Sequence, residues 1–142
     1  MSDPYNLQRF IDAQEGDFET ALDELRAGAK QSHWMWYIFP QLADLGRSPI
    51  AKFYGLASLA EAHAYSAHPS LGPNLRQCLD ALLYWAGQRT SEQILGSVDS
   101  MKLRSCLTLF EAASSDPAFG RGIDAFFNGQ RDEATQQLLR SG

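Results

Sequence analysis

The stretch from about Val98 to Ala113 reads as a helix with a charged pair on its apolar side. Helical residues turn by about 100 degrees each. With Asp99 at zero, Leu103, Cys106 and Phe110 fall within about 40 degrees of it, at the centre of the apolar face. Lys102 lands between Cys106 and Leu109 on the same side, whereas Arg104, Thr108 and Glu111 take the opposite, solvated side. An aspartate and a lysine three apart on an inward face must both be satisfied. Two arrangements do this. In one, they form a buried or half-buried ion pair, with Asp99 favoured by the first-turn dipole. In the other, they line a cleft, where Lys102 meets an anionic ligand and Asp99 meets a hydroxyl or accepts a proton.

The second unusual feature is the run Trp34-Met35-Trp36-Tyr37-Ile38-Phe39, six residues with four aromatics and no charge. Lys30 and His33 precede it, and Gln41 and Arg47 follow. Aromatic faces beside cations and amides suit a flat, nucleotide-like ligand. They equally suit a core plug, or an exposed patch that docks a partner. If the run is extended, Trp34 and Trp36 face one way and Met35 and Tyr37 the other; if it is helical, Trp34 and Ile38 share a face. His33 is either a structural hydrogen-bonder or a proton-transfer group.

Other chemistries lack their residues. There is no His-Glu-x-x-His and no Cys-x-x-Cys, so no metal is expected. There is no glycine-rich phosphate loop and no Gly-x-Ser-x-Gly elbow, and no cofactor is expected. His68 precedes Pro69 at a helix end, where a cation complements the dipole, and His63 reads as a surface residue. Cys78 and Cys106 fall on apolar helical stripes and read as small buried hydrophobes rather than a disulfide or a reactive thiol.

The elements that position these groups are helical throughout. The chain of 142 residues reads as one domain, 1–142, of ordinary globular composition. Its net charge of −5 argues against nucleic-acid binding but leaves room for a small phosphorylated ligand. No apolar run of about 18 residues exists, so no membrane span is expected. Met1 to Asn6 carry no secretion signal, and the expected location is cytoplasmic. Asp3 and Pro4 open a helix bearing Leu7, Phe10, Ile11 and Gln14; Asp17 opens a second bearing Phe18, Ala21, Leu22 and Leu25, stopped near Gly28. Ser48-Pro49 starts a short helix, and Ser58 with Glu61 forms a capping box for a helix reaching about His68. Leu75, Cys78, Leu79, Leu82 and Leu83 mark the clearest amphipathic helix. A turn at Ser91 to Leu95, a helix opened by Asp116-Pro117, and a last helix from Asp132 to Arg140 packing Ala134 and Leu138 complete the chain. The fold class is all-α: a compact single-domain multi-helix bundle with an irregular aromatic segment.

The motifs resemble the bacterial domain of unknown function numbered 1810. The resemblance rests on Ser32 to Gln41, then Leu45-Gly46, Tyr54, Glu61-Ala62, Tyr65, His68-Pro69, Leu71-Gly72, Gly96, Asp99, Lys102-Leu103, Ser105 and Thr108-Leu109-Phe110. Asp3-Pro4, Leu7, Arg9-Phe10, Gly129 and Asp132 fit it too. It implies a stand-alone, compact, all-helical cytosolic protein with no established activity. Some members carry the label calpastatin, but such inhibitors are disordered repeats and this chain is unrepeated. The family has also been associated with metabolism of NAD-derived ADP-ribose.

The candidate site therefore lies between the aromatic segment 32–41 and the helix starting near Asp99. Its expected ligand is a nucleotide or ADP-ribose-like small molecule. Asp99 and His33 are the candidate catalytic groups; Lys30, Trp34, Trp36, Tyr37, Lys102 and Ser105 are the candidate binding groups. Whether the protein is an enzyme is open at this point, as is its oligomeric state. The alternative is an interaction or self-association module that uses the aromatic segment without catalysis.

Overall fold

Helical periodicity is realised along nearly the whole chain, and tertiary packing decides where it breaks. The computed structural model describes residues 3–141. Among them run α1 Gln8–Arg26, α2 Met35–Ile38, α3 Pro49–Phe53, α4 Leu59–Ala67, α5 Leu71–Leu83, α6 Ser91–Leu95, α7 Ser97–Ala113, α8 Ala118–Phe127 and α9 Glu133–Ser141. A 3-10 turn spans Ala43–Leu45, and the one β-like feature among the described residues is an isolated bridge between Leu42 and Leu56. No helix in this set is long and apolar enough to cross a membrane.

The bundle is compact and all-α, with α7 at its centre, packed against α4, α6, α8 and α9. A column of rings crosses the core. Phe10 of α1 meets Tyr65 of α4 edge-on at 5.0 Å, Tyr65 meets Phe110 of α7 at 5.5 Å, and Phe110 stacks on Phe119 of α8 at 5.6 Å. Cys78 and Cys106 are free and buried. Burial pushes the Cys78 thiol up to about 12 and the Cys106 thiol well above its ordinary value.

Several local expectations are corrected by packing. The two helices expected before Gly28 are one continuous α1. Asp17 caps nothing; its carboxylate accepts the Tyr37 hydroxyl. The expected solvated side of α7 is covered by α8 and α9. Thr108 is buried there, donating to the Arg104 carbonyl at 2.8 Å and accepting from the Asp132 amide at 2.9 Å. Glu111 on the same side forms two bonds to Arg131, at 2.9 and 2.6 Å. His68 serves the start of α5 rather than the end of α4, because its Nδ1 accepts the Ser70 and Leu71 amides. His63 is exposed, as expected, and its Nδ1 also lies 3.0 Å from the Ala113 carbonyl, tying α4 to the end of α7. In α9 Thr135, not Ala134, is the buried residue.

Arg9 closes the corner where α1, α3 and α4 converge. Its guanidinium donates to the carbonyls of Tyr5, Asn6, Phe53 and Gly55 and to Glu61 at 2.8 Å. The Arg9 and Glu61 side chains are only 10% and 6% exposed. Five donors meeting five acceptors satisfy a cation that burial alone would disfavour. Glu61 reaches the Ala57 amide as well, so it holds the loop before α4 rather than completing a capping box on Ser58. Gly55 is required beside it, because a Cβ there would sit 2.3 Å from the Ala43 Cα.

Replacing Arg9 by Met leaves Glu61 buried without its partner and is expected to cost about 3–5 kcal/mol. The double variant Arg9→Met/Glu61→Gln should recover a large part of that loss. Urea denaturation of both proteins checks this; equal midpoints for single and double variants would show that the stranded charge is not the cause.

Candidate functional site

One carboxylate sets the path of the segment that forms the site. Glu24 lies near the end of α1, and the chain turns after it at Gly28, which adopts a left-handed φ of 71°. Lys30 then donates its amide to the Ile94 carbonyl at 2.7 Å, pinning the segment to α6. Glu24 receives the Gln31 amide at 2.8 Å, the Ser32 amide at 2.9 Å, the Ser32 hydroxyl at 2.6 Å and the Trp34 indole N–H at 2.9 Å. Burial pushes this carboxyl upward, but the four donors outweigh it and hold the group at about 2.

That clamp delivers the aromatic segment as the single helical turn α2. Trp34 enters the core, 1% exposed, with Met35, Ile38 and Phe39 buried around it. Trp36 alone of the four aromatics stays half-buried. Lys30 Nζ lies 5.0 Å from the Trp34 ring centre and 2.9 Å from Asp99 Oδ2. Lys102 Nζ lies 3.7 Å from Asp99 Oδ1 and 5.1 Å from the Trp36 ring centre. The result is a row of ring, cation, carboxylate, cation, ring. Asp99 thus takes the ion-pair arrangement, with a lysine on either side. Lys30 and Asp99 are 9% and 17% exposed, while Lys102 at 25% is the outer member.

The row carries two lysines against one aspartate, so one positive charge lacks a close partner within it. The enclosed space beside it is small. Trp36, Gln41, Tyr54 and Lys102 help wall a cavity of about 10 Å³, room for one water. A larger ligand would have to lie on the open face that Trp36 and Lys102 present.

The structure brings Lys30, Trp34, Trp36, Asp99 and Lys102 together. Trp34, however, has no free face to stack a ligand, because its ring is buried and its N–H is spent on Glu24. Tyr37 is 8% exposed; its hydroxyl is bound to Asp17 and lies 3.3 Å from the His33 carbonyl. Burial, reinforced by the adjacent Asp17 carboxylate, pushes its phenol pKa above the ordinary range. It locks α2 onto α1. Ser105 is buried and donates to the Met101 carbonyl at 3.3 Å, within α7. His33 supplies its backbone carbonyl to Tyr37, while its imidazole is exposed and makes no hydrogen bond among the described residues. Sequence reasoning misses Glu24, which stands on a helix among other acidic residues; only the fold brings Ser32 and Trp34 to it.

A compact, all-helical protein with this aromatic segment and this arrangement at Asp99 is similar to proteins of no assigned activity. The chain belongs to the family described as protein of unknown function (DUF1810), whose profile matches residues 4–139. The crystal structure of the conserved hypothetical protein Rv1873 from Mycobacterium tuberculosis is 42% identical, covers 97% of this chain and 99% of that one, and superposes with a TM-score of 0.94. No curated protein matches the chain.

The Glu24 clamp has a pH signature. A carboxyl held near 2, against 4.5 when unconstrained, adds stability that is full above about pH 5 and is lost as pH falls toward 2. Its size should be on the order of 2 kcal/mol, allowing for solvent at a half-buried group. Glu24→Gln should lower stability at neutral pH and flatten this part of the profile. Denaturation at about pH 7 and about pH 3 measures it; an unchanged slope in the variant would assign the acid sensitivity elsewhere.

Proposed function

We propose that the protein binds a small, flat, anionic ligand, of the nucleotide or ADP-ribose type, on the open face between α2 and the start of α7. One observation carries this reading: Lys102. Asp99 is held at 2.9 Å by Lys30 but stands 3.7 Å from Lys102, beyond hydrogen-bonding distance. Lys102 therefore keeps donors for an anion while its charge stays anchored over Trp36. The half-buried Trp36 offers the aromatic surface for the ligand ring, and Lys102 meets its phosphate.

Lys30 and Asp99 hold Lys102 in place in this reading, and Trp34, Tyr37 and Ser105 support the face from the core. Both Asp99 oxygens face ammonium groups, so a proton-accepting role for Asp99 requires Lys102 to move onto the ligand. His33, with a free imidazole, is the other group open to proton transfer. A docking role for the aromatic segment itself has little surface to use, since Trp34, Met35, Ile38 and Phe39 are at most 2% exposed.

The test is thermal stability against ADP-ribose, NAD and AMP. A ligand at a hundred times its dissociation constant should stabilise the protein by about 2.7 kcal/mol. Lys102→Ala and Trp36→Ala should each diminish the shift, whereas His33→Ala should leave it unchanged. Undiminished binding by the first two variants would refute the reading.

A further inference from the structure

A second surface, where the end of α1 meets α5, is built from another set of residues. Arg26, Gln77, Asp80, Ala81, Tyr84 and Trp85 line a groove of about 570 Å³. That lies inside the roughly 300–1,000 Å³ range of small-molecule sites. Two rings form its aromatic part. Trp85 is fixed, because its indole N–H donates to the Leu25 carbonyl at 3.0 Å. Its ring also lies against Gly28, where a Cβ would come within 2.8 Å of it. Tyr84 stands edge-on to Trp85 at 5.2 Å and is 68% exposed, with no hydrogen bond to its hydroxyl among the described residues. A tyrosine this exposed, held beside a positioned tryptophan, presents a ring face to solvent.

The charge around these rings is positive. The one carboxylate in the groove, Asp80, is already bound by Arg76 at 2.9 Å, and Arg76 also reaches Asp116 at 2.6 Å. Arg26 enters no salt bridge among the described residues, and neither does Arg89, whose side chain lies alongside Gly28. Three arginines thus face two aspartates in a chain whose net charge is −5. Guanidinium groups match the geometry of phosphate or carboxylate oxygens, and ring faces stack on flat heterocycles.

We infer that this groove is a separate binding site for an aromatic anion of mononucleotide size. Its ring lies on Tyr84 and Trp85, its phosphate on Arg26 with Arg89 beside it, and Gln77 is placed to bond polar atoms on the ring edge. The site shares no residue with the Trp36–Lys102 face, so either can fail without the other.

AMP is the probe, followed by NMR through the indole N–H signals of the three tryptophans. The Trp85 signal should shift saturably. Adenosine and inorganic phosphate should each bind at least about tenfold more weakly than AMP. Arg26→Gln and Tyr84→Ala should weaken AMP by about tenfold or more while keeping the unfolding midpoint, since both side chains are exposed. Lys102→Ala should leave the Trp85 response intact. The inference is overturned if Trp85 gives no saturable shift, or if that shift saturates at the same AMP concentration in both groove variants. It is also overturned if phosphate alone binds as well as AMP, or if the shift tracks protein concentration, which would mark a contact between copies.

Discussion

The path of the chain between α1 and α2 depends on Glu24. Four donors from residues 31–34, two backbone amides and two side chains, converge on a single half-buried carboxylate. Without it, nothing local would force a polar turn to deliver an indole into the core. With it, Trp34 is placed, α2 follows, and Lys30 arrives over the ring and against Asp99. The charge on Glu24 is thus an architectural element, because neutral acceptors would hold the same donors less strongly.

Burial of α7 is the complementary constraint. A helix surrounded by α4, α6, α8 and α9 must satisfy every polar group it carries. Thr108 does so through its own backbone and the Asp132 amide, and Asp99 through two lysines. Arg104 is the exception: its Nε is enclosed and finds no hydrogen-bond partner, while its guanidinium lies 5.9 Å from the Phe127 ring centre. The same packing explains which features the sequence made visible. Asp99 and Lys102 stood out because charge on an apolar stripe breaks a periodic rule, and Lys30 and the tryptophans because their composition is unusual. The all-helical class and most helix starts followed from spacing and caps such as Ser48 and Ser58, which accept the amides expected of them.

What stayed hidden is what only long-range geometry creates. Asp17 has the chemistry of a cap, but the chain continues helically through it and its carboxylate finds Tyr37, 20 positions away. The side of α7 bearing Thr108 looks solvated until α8 and α9 fold across it. Trp34 and Trp36, two apart in an apolar run, divide into core and rim because α2 makes only one turn. Arg26, Tyr84 and Trp85 belong to no sequence motif, and their proximity arises where the end of α1 crosses α5. Periodicity reports one helix face at a time, and both surfaces considered for ligands lie where different elements meet.

The two cysteines turn this packing into a reporter. Both thiols are buried in the ring-lined centre, with their ionisation pushed far from neutral pH. A thiol reagent attacks the thiolate, so the closed protein offers it almost nothing. Labelling must wait for the bundle to open, and with fast reclosing its rate reads the free energy of that opening. Cys78 sits on α5, the helix that carries Gln77, Asp80 and Ala81 of the groove, and Cys106 on the central helix α7. The relative rates of the two therefore distinguish local loosening of α5 from cooperative unfolding of the whole molecule, without any introduced cysteine.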